Sequence, residues 1–168
     1  PTVSPTQTPT NTPTASATPS QTQTATGNWS ALGSNGAGDG SLNNQVRALV
    51  VIGTDLYVAG DFTNVSNNGV VLGTADYIAK WDTLTGNWSA LGSNGSGDGS
   101  LNGRVSVLAV IDTDLYVGGN FTDVNNNGVV LGAADYIAKW DTLTGNWSAL
   151  GSYGAGDGSL PMFGTVNA

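Results

Sequence analysis

The stretch VSVLAVIDTDLYVGGNF at residues 105–121 decides how this chain folds. Two apolar runs, VSVLAVI and LYVGGNF, stand three residues apart. The Asp-Thr-Asp between them is a hairpin-length link of turn formers. Val105, Val107, Ala109 and Ile111 point to one side of the first run, Leu108 and Val110 to the other. Both faces are apolar, so this run reads as a central, buried strand. Gly119, inside the second run, marks a close backbone or aromatic approach. Further on, YIAKWD (136–141) and NWSAL (146–150) are two more short strands. They are joined by TLTG, again of hairpin length with Gly at its end, which brings Trp140 near Trp147.

The same four runs stand 59 residues earlier, as VRALVVI (46–52), LYVAGDF (56–62), YIAKWD (77–82) and NWSAL (87–91). The whole unit at 27–85 repeats at 86–144 without a gap and with 47 of 59 positions identical; it opens a third time at 145–168. Self-similarity at a fixed period means units that cannot bury their own cores and must stack. Four antiparallel strands per repeat is the pattern of a propeller blade. The expected fold is all-β: two tandem four-stranded antiparallel propeller-like blades of 59 residues. An extra N-terminal strand, the NWSAL at 28–32, and an extended Thr/Pro-rich segment precede them.

LYVGGNF followed by YIAKWD and NWSALGS resembles the WALG-type blades of bacterial extracellular β-propellers, loosely kelch-like. The resemblance runs from residue 27 to about residue 160. It implies the blade but no particular activity, because such folds host many unrelated roles. The chain departs from that pattern in having long blades and only two complete ones.

Two connections in each unit are long, TNVSNNGVVLGTA (63–75) and GSNGAGDGSLNN (33–44) in the first. In an up-and-down sheet alternate connections share an end. The long loops therefore share one end, where Asp39, Asp98, Asp123 and Asp157 crowd, and the tight hairpins share the other.

Propellers close with about four to eight blades. Two blades leave two apolar faces uncovered, and an orphan strand leaves an edge unpaired. Three arrangements answer this: a longer chain, a ring closed by several copies, or copies stacked head to tail into a filament.

Residues 1–26 hold ten Thr and five Pro, no aromatic and no charge. Such a tract cannot bury a core. At ~3.1 Å per residue in a polyproline-like conformation it reaches on the order of 80 Å. It is either a bare linker or an O-glycosylated stalk, with Thr6, Thr8, Thr10, Thr12, Thr14, Thr18, Thr22, Thr24 and Thr26 as acceptors. It resembles the Thr-Pro linkers of secreted bacterial surface proteins. The chain begins inside this tract without an initiator Met or a signal peptide, and reads as a mature or truncated form of an exported protein. Residues 27–168 form the repeat domain.

Charged residues make up only 10% of the chain. All 12 acids are Asp, and the net charge is −8. That balance argues against nucleic acid and against an anionic membrane surface. Neither Cys nor His occurs, so disulfides, thiol chemistry and the commonest general base are excluded. No apolar stretch is long enough to insert in a membrane as a helix.

Asp123, Asn125, Asn127 and Gly128 match the first half of a calcium loop, in which alternating oxygens face one cation. The closing acid is missing, since Ala134 holds its place. The alternative is an Asn-Gly turn of residues that tolerate a left-handed backbone. Calcium is the one cofactor suggested. The GAGDGSL segments faintly resemble the calcium repeats of β-rolls, but they are not iterated and read as turns. Of six N-glycosylation sequons, Asn64 and Asn94 fall on loops. Every Asp has a turn or cap explanation, so no catalytic pair emerges. Tyr153 stands where the other repeats have Asn35 and Asn94, an exposed aromatic suited to a sugar.

The expected function is a non-enzymatic extracellular structural protein, self-associating with copies of itself into a filament, sheath or surface stalk. The alternative is a carbohydrate-binding, lectin-like or adhesin module with glycans as partners.

Overall fold

The computed structural model describes residues 28–152 together with Gly154, Gly158 and Leu160. The described residues form twelve strands and no helix. The first unit contains β1 (Val46–Ile52), β2 (Asp55–Gly60), β3 (Val65–Asn67), β4 (Val70–Leu72), β5 (Ile78–Asp82) and β6 (Asn87–Ser89). The second contains β7 (Val105–Ile111), β8 (Asp114–Gly119), β9 (Val124–Asn126), β10 (Val129–Leu131), β11 (Ile137–Asp141) and β12 (Asn146–Ala149). Each unit builds one four-stranded antiparallel sheet, in the orders β1-β2-β5-β6 and β7-β8-β11-β12, and one two-stranded hairpin.

Glycine sets the inner edge of each sheet. Val46 pairs with Gly60, and the register then shifts before Ala48; Val105 and Gly119 repeat this. A Cβ on Gly60 would lie 2.0 Å from the Gln45 carbonyl oxygen, and one on Gly119 2.2 Å from that of Arg104. Only a residue without a side chain permits this approach. The bulge turns Val46 to the side of Leu49. The opposite edge is fixed by tryptophans: Trp81 faces Trp88 and Trp140 faces Trp147 across the ladder, with ring centroids 5.2 Å apart in both pairs and planes tilted by 58° and 56°.

Three strand expectations need correction. Residues 28–32 form no strand, and Trp29 is fully exposed. The later NWS segments pair with a YIAKWD strand just ahead of them, and no YIAKWD sequence occurs in residues 1–27. β1 and β7 are edge strands rather than central ones, and Leu49 and Val51 on β1 are 61% and 62% exposed. The long loop after the second strand is partly ordered as the hairpins β3–β4 and β9–β10. Their turns are Asn68-Gly69 and Asn127-Gly128, with φ of 51° and 90° and of 53° and 93°. Positive φ at both central residues is the type I′ geometry that Asn-Gly favours.

These hairpins shield the outer sheet edge. The Asn67 side-chain oxygen accepts the Trp88 backbone N–H at 3.3 Å, and Asn126 accepts that of Trp147 at 3.1 Å. An amide side chain thus occupies an edge donor that would otherwise invite another strand. As expected, the tight hairpins share one end, where the Thr83 hydroxyl donates to the Thr54 carbonyl at 2.5 Å, and the long loops share the other.

Candidate interaction surfaces

Each sheet has two faces. Val46, Leu49, Val51, Leu56 and Val58 line what we call the leading face of the first unit, and Ala48, Val50, Ile52, Tyr57, Ala59 and Ile78 its trailing face. The trailing face of the first unit packs on the leading face of the second, where Leu101, Val105, Leu115 and Val117 are buried and Leu108 and Val110 half-buried. One continuous core therefore fills the second unit and the junction. A smaller core of Val58, Phe62, Val65, Ala75, Ala79, Trp81 and Trp88 serves the first unit.

A loop locks the junction from the long-loop end. The Leu91 carbonyl accepts Trp147 Nε1 at 2.7 Å and the Ser100 hydroxyl at 3.1 Å. The Ser100 carbonyl accepts the Asn125 N–H at 2.8 Å. On the other side, the Gly99 N–H donates to Asp76 Oδ2 at 3.1 Å, while Asp76 Oδ1 accepts the Asn64 N–H at 2.8 Å. Asp76 clamps the linker to the first unit, and Trp147 clamps it to the second. The arrangement recurs at both ends of the chain. Trp88 Nε1 donates to the Leu32 carbonyl at 2.8 Å, and the Gly158 N–H donates to Asp135 Oδ2 at 3.3 Å.

Among the described residues, two apolar faces remain open. The leading face of the first unit carries a groove of about 420 Å³ along Leu32, Leu42, Val46, Leu49 and Leu56. The trailing face of the second carries a shallower one of about 90 Å³ along Val107, Ala109, Tyr116 and Ile137, beside which Ile111 is 60% exposed.

The long-loop end also carries polar clefts. One, of about 380 Å³, is lined by Asp76, Asn94, Asp98, Asp123 and Asn125; its repeat-mate holds Asn35, Asp39, Asn64 and Ser66. Asp98 and Asp123 thus meet as expected, Asp39 lies one period away, and Asp157 falls outside the described residues. Of the calcium candidates, Asp123 and Asn125 share this cleft. Asn125 Oδ1 accepts the Gly128 N–H at 2.7 Å, and Asn127 is the first residue of the type I′ turn. Among the described residues no three carboxylates gather closely enough to hold a metal ion.

Asn64 is exposed, with a left-handed backbone at φ 59°. The Asn94 carboxamide closes its own loop, accepting the N–H groups of Ser96 at 2.7 Å and Asp98 at 3.1 Å and donating to Asp98 Oδ2 at 3.0 Å. Tyr153 and the nine Thr candidates lie outside the described residues.

The Asp76 and Asp135 clamps were missed from the sequence, although both precede a Tyr in the same repeat position. Tyr77 and Tyr136 have φ of 62° and 61°, unusual for bulky residues, and the strand therefore starts one residue later than the sequence pattern suggests. Asp55 and Asp114, read as turn residues, pair with Lys80 at 2.9 Å and Lys139 at 2.8 Å.

Burial at the junction, with a smaller contribution from the negative charge of Asp55, pushes the Tyr57 phenol up to about 12. The side-chain hydrogen bond from Arg47 holds Asp61 below the ordinary carboxylate range, and Arg104 of the second unit adds a weaker attraction. Asp82 is lowered by the backbone N–H groups of Thr85 and Leu84, and Asp141 by those of Thr144 and Leu143.

No family model matches the chain. Polarized growth protein rax2 of the yeast Schizosaccharomyces pombe is similar, at 30% identity over 113 residues. The match covers 67% of this chain and 8% of that protein, so the chain spans less than a tenth of the relative's length.

Proposed function

We propose that this chain is a non-enzymatic extracellular structural protein. Its two sheets act as propeller-type blades, and copies associate through them into a filament, sheath or surface stalk. One observation carries the reading: the two open faces are the repeat counterparts of the two surfaces that the molecule buries against each other at its own junction. Apolar surface gains about 25 cal/mol per Å² when removed from water, which favours covering both faces.

The Thr/Pro tract supports a surface location, where it would act as a spacer or glycan-bearing coat. With a net charge of −8, copies repel at long range, so association strengthens as salt screens that repulsion.

Size-exclusion chromatography with light scattering over a concentration series tests this. Multiples of 16.9 kDa that grow with concentration and with salt support it. A single 16.9 kDa species at every concentration overturns it.

A further inference from the structure

We infer that the association is head to tail. The trailing face of the second sheet in one copy takes the leading face of the first sheet in the next, in the geometry of the internal junction. This rests on the self-association proposed above and fixes its polarity.

The substitutions between repeats carry the inference. The leading face is unchanged, with Leu42, Val46, Leu49, Val51, Leu56 and Val58 matching Leu101, Val105, Leu108, Val110, Leu115 and Val117. The first sheet therefore presents the apolar surface that the junction already accepts. On the trailing face Ile52, Tyr57 and Ile78 recur as Ile111, Tyr116 and Ile137. The changes there nearly conserve volume: Ala48 and Val50 become Val107 and Ala109, an exchange of places, and Ala59 becomes Gly118. Volume-conserving apolar exchanges are the best tolerated in a packed surface. At the rim, the internal junction places Arg104 near Asp61; between copies the same positions hold Gln45 and Asn120, so both charges are replaced together by neutral amides. Arg47 stands where the second repeat has the buried Ser106, and it keeps its own partner in Asp61.

The linker loops are compatible with this joining. The Asp135 clamp holds Gly158, and the incoming copy offers Gly40, the same residue of the repeat. One backbone N–H replaces another, as in exchange of identical elements between protomers. Residues 28–31 of the incoming copy correspond to β12 and must lie aside; they form no strand, and Trp29 already stands in solvent. Joining two leading faces, or two trailing faces, reuses no contact present in the molecule.

Two full-length variants test the polarity. Leu49→Asp blocks the leading face and Ile111→Asp the trailing face. Both positions are about three-fifths exposed, so each variant folds, which an unchanged thermal melt verifies. Each variant alone is expected to lose at least about 100-fold in association, because a charge would be buried without a partner. Mixed in equal amounts, they should give a species of two chains and nothing larger, because each supplies the face the other lacks. If either variant dimerises alone, or the mixture stays monomeric while the unaltered chain assembles, the head-to-tail polarity is wrong and self-association stands. If the unaltered chain does not assemble, the proposed function itself fails.

Discussion

Val105 and Val46 are the same residue of the same repeat, in the same bulged edge strand, yet Val105 is fully buried and Val46 is 42% exposed. Ile52 and Ile111 show the converse, half-buried in the first unit and 60% exposed in the second. The bulged backbone is shared although the residues flanking Val46 and Val105 differ, and Val105 lies in the core that the first sheet helps to build, so the neighbouring sheet accounts for the difference. A sheet of this kind is complete as a hydrogen-bonded object and incomplete as an apolar one. Among the described residues, each unit buries one face through the other and keeps one face open.

Paired substitutions at equivalent positions sharpen that contrast. The largest effect is expected for Val105→Asp, which buries an unpaired charge and should cost ~4 kcal/mol or more. Val46→Asp should cost under ~1 kcal/mol in urea unfolding of the dilute, unassociated chain. Equal losses would mean that the two faces are not distinguished by cover. Next, Leu115→Ala should cost ~3 kcal/mol for a fully buried side chain, and Leu56→Ala about half that, in the same assay. Third, Trp147→Phe removes the donor to the Leu91 carbonyl at the covered junction and should cost ~1–2 kcal/mol. Trp88→Phe removes the donor to the more open Leu32 carbonyl and should cost less.

The covered face should also be visible in alkali. Unfolded tyrosine ionises near 10, whereas the Tyr57 phenol is pushed up to about 12. Its contribution to stability is full below pH 10. Between 10 and 12 the unfolded chain gives up a proton that the folded chain keeps, so stability falls as pH rises. Absorbance of tyrosinate, compared with that of a Tyr57→Phe variant, should assign to Tyr57 a phenol that ionises well above 10; a Tyr57 signal near pH 10 would contradict the junction. The smallest effect is expected at the tight-hairpin end, away from the junction. Asp82→Asn and Asp141→Asn should lower the melting temperature slightly and equally. Because both carboxylates lie below their ordinary value, their contribution is present above the usual carboxylate range and fades as pH falls through the lowered one. Unequal shifts would show that the two units differ beyond their faces.

Much of this was legible in the sequence. Period-two apolar runs, a glycine in each second strand and a tryptophan on each side of TLTG specified the four-stranded sheets, because strand pairing depends on local pattern. The Asn-Gly turns carried the signal for β3–β4 and β9–β10, but the strands beside them are only three residues long, too short for the pattern to stand out. The clamps at Asp76 and Asp135 left no such signal. A single Asp gains meaning only when a loop 23 residues away brings Gly99 or Gly158 within hydrogen-bond reach.

The sequence by itself determined the β class, the 59-residue repeat, the hairpin ends and the acidic, cysteine-free surface. All of these follow from local propensity and composition. Only the tertiary structure decided which face of each sheet is covered, that residues 28–32 form no strand, and that the linker loops are bolted to both units. The physical reason is that two nearly identical sequences cannot encode different burial. Burial belongs to the packing between sheets, and that packing occurs once among the described residues.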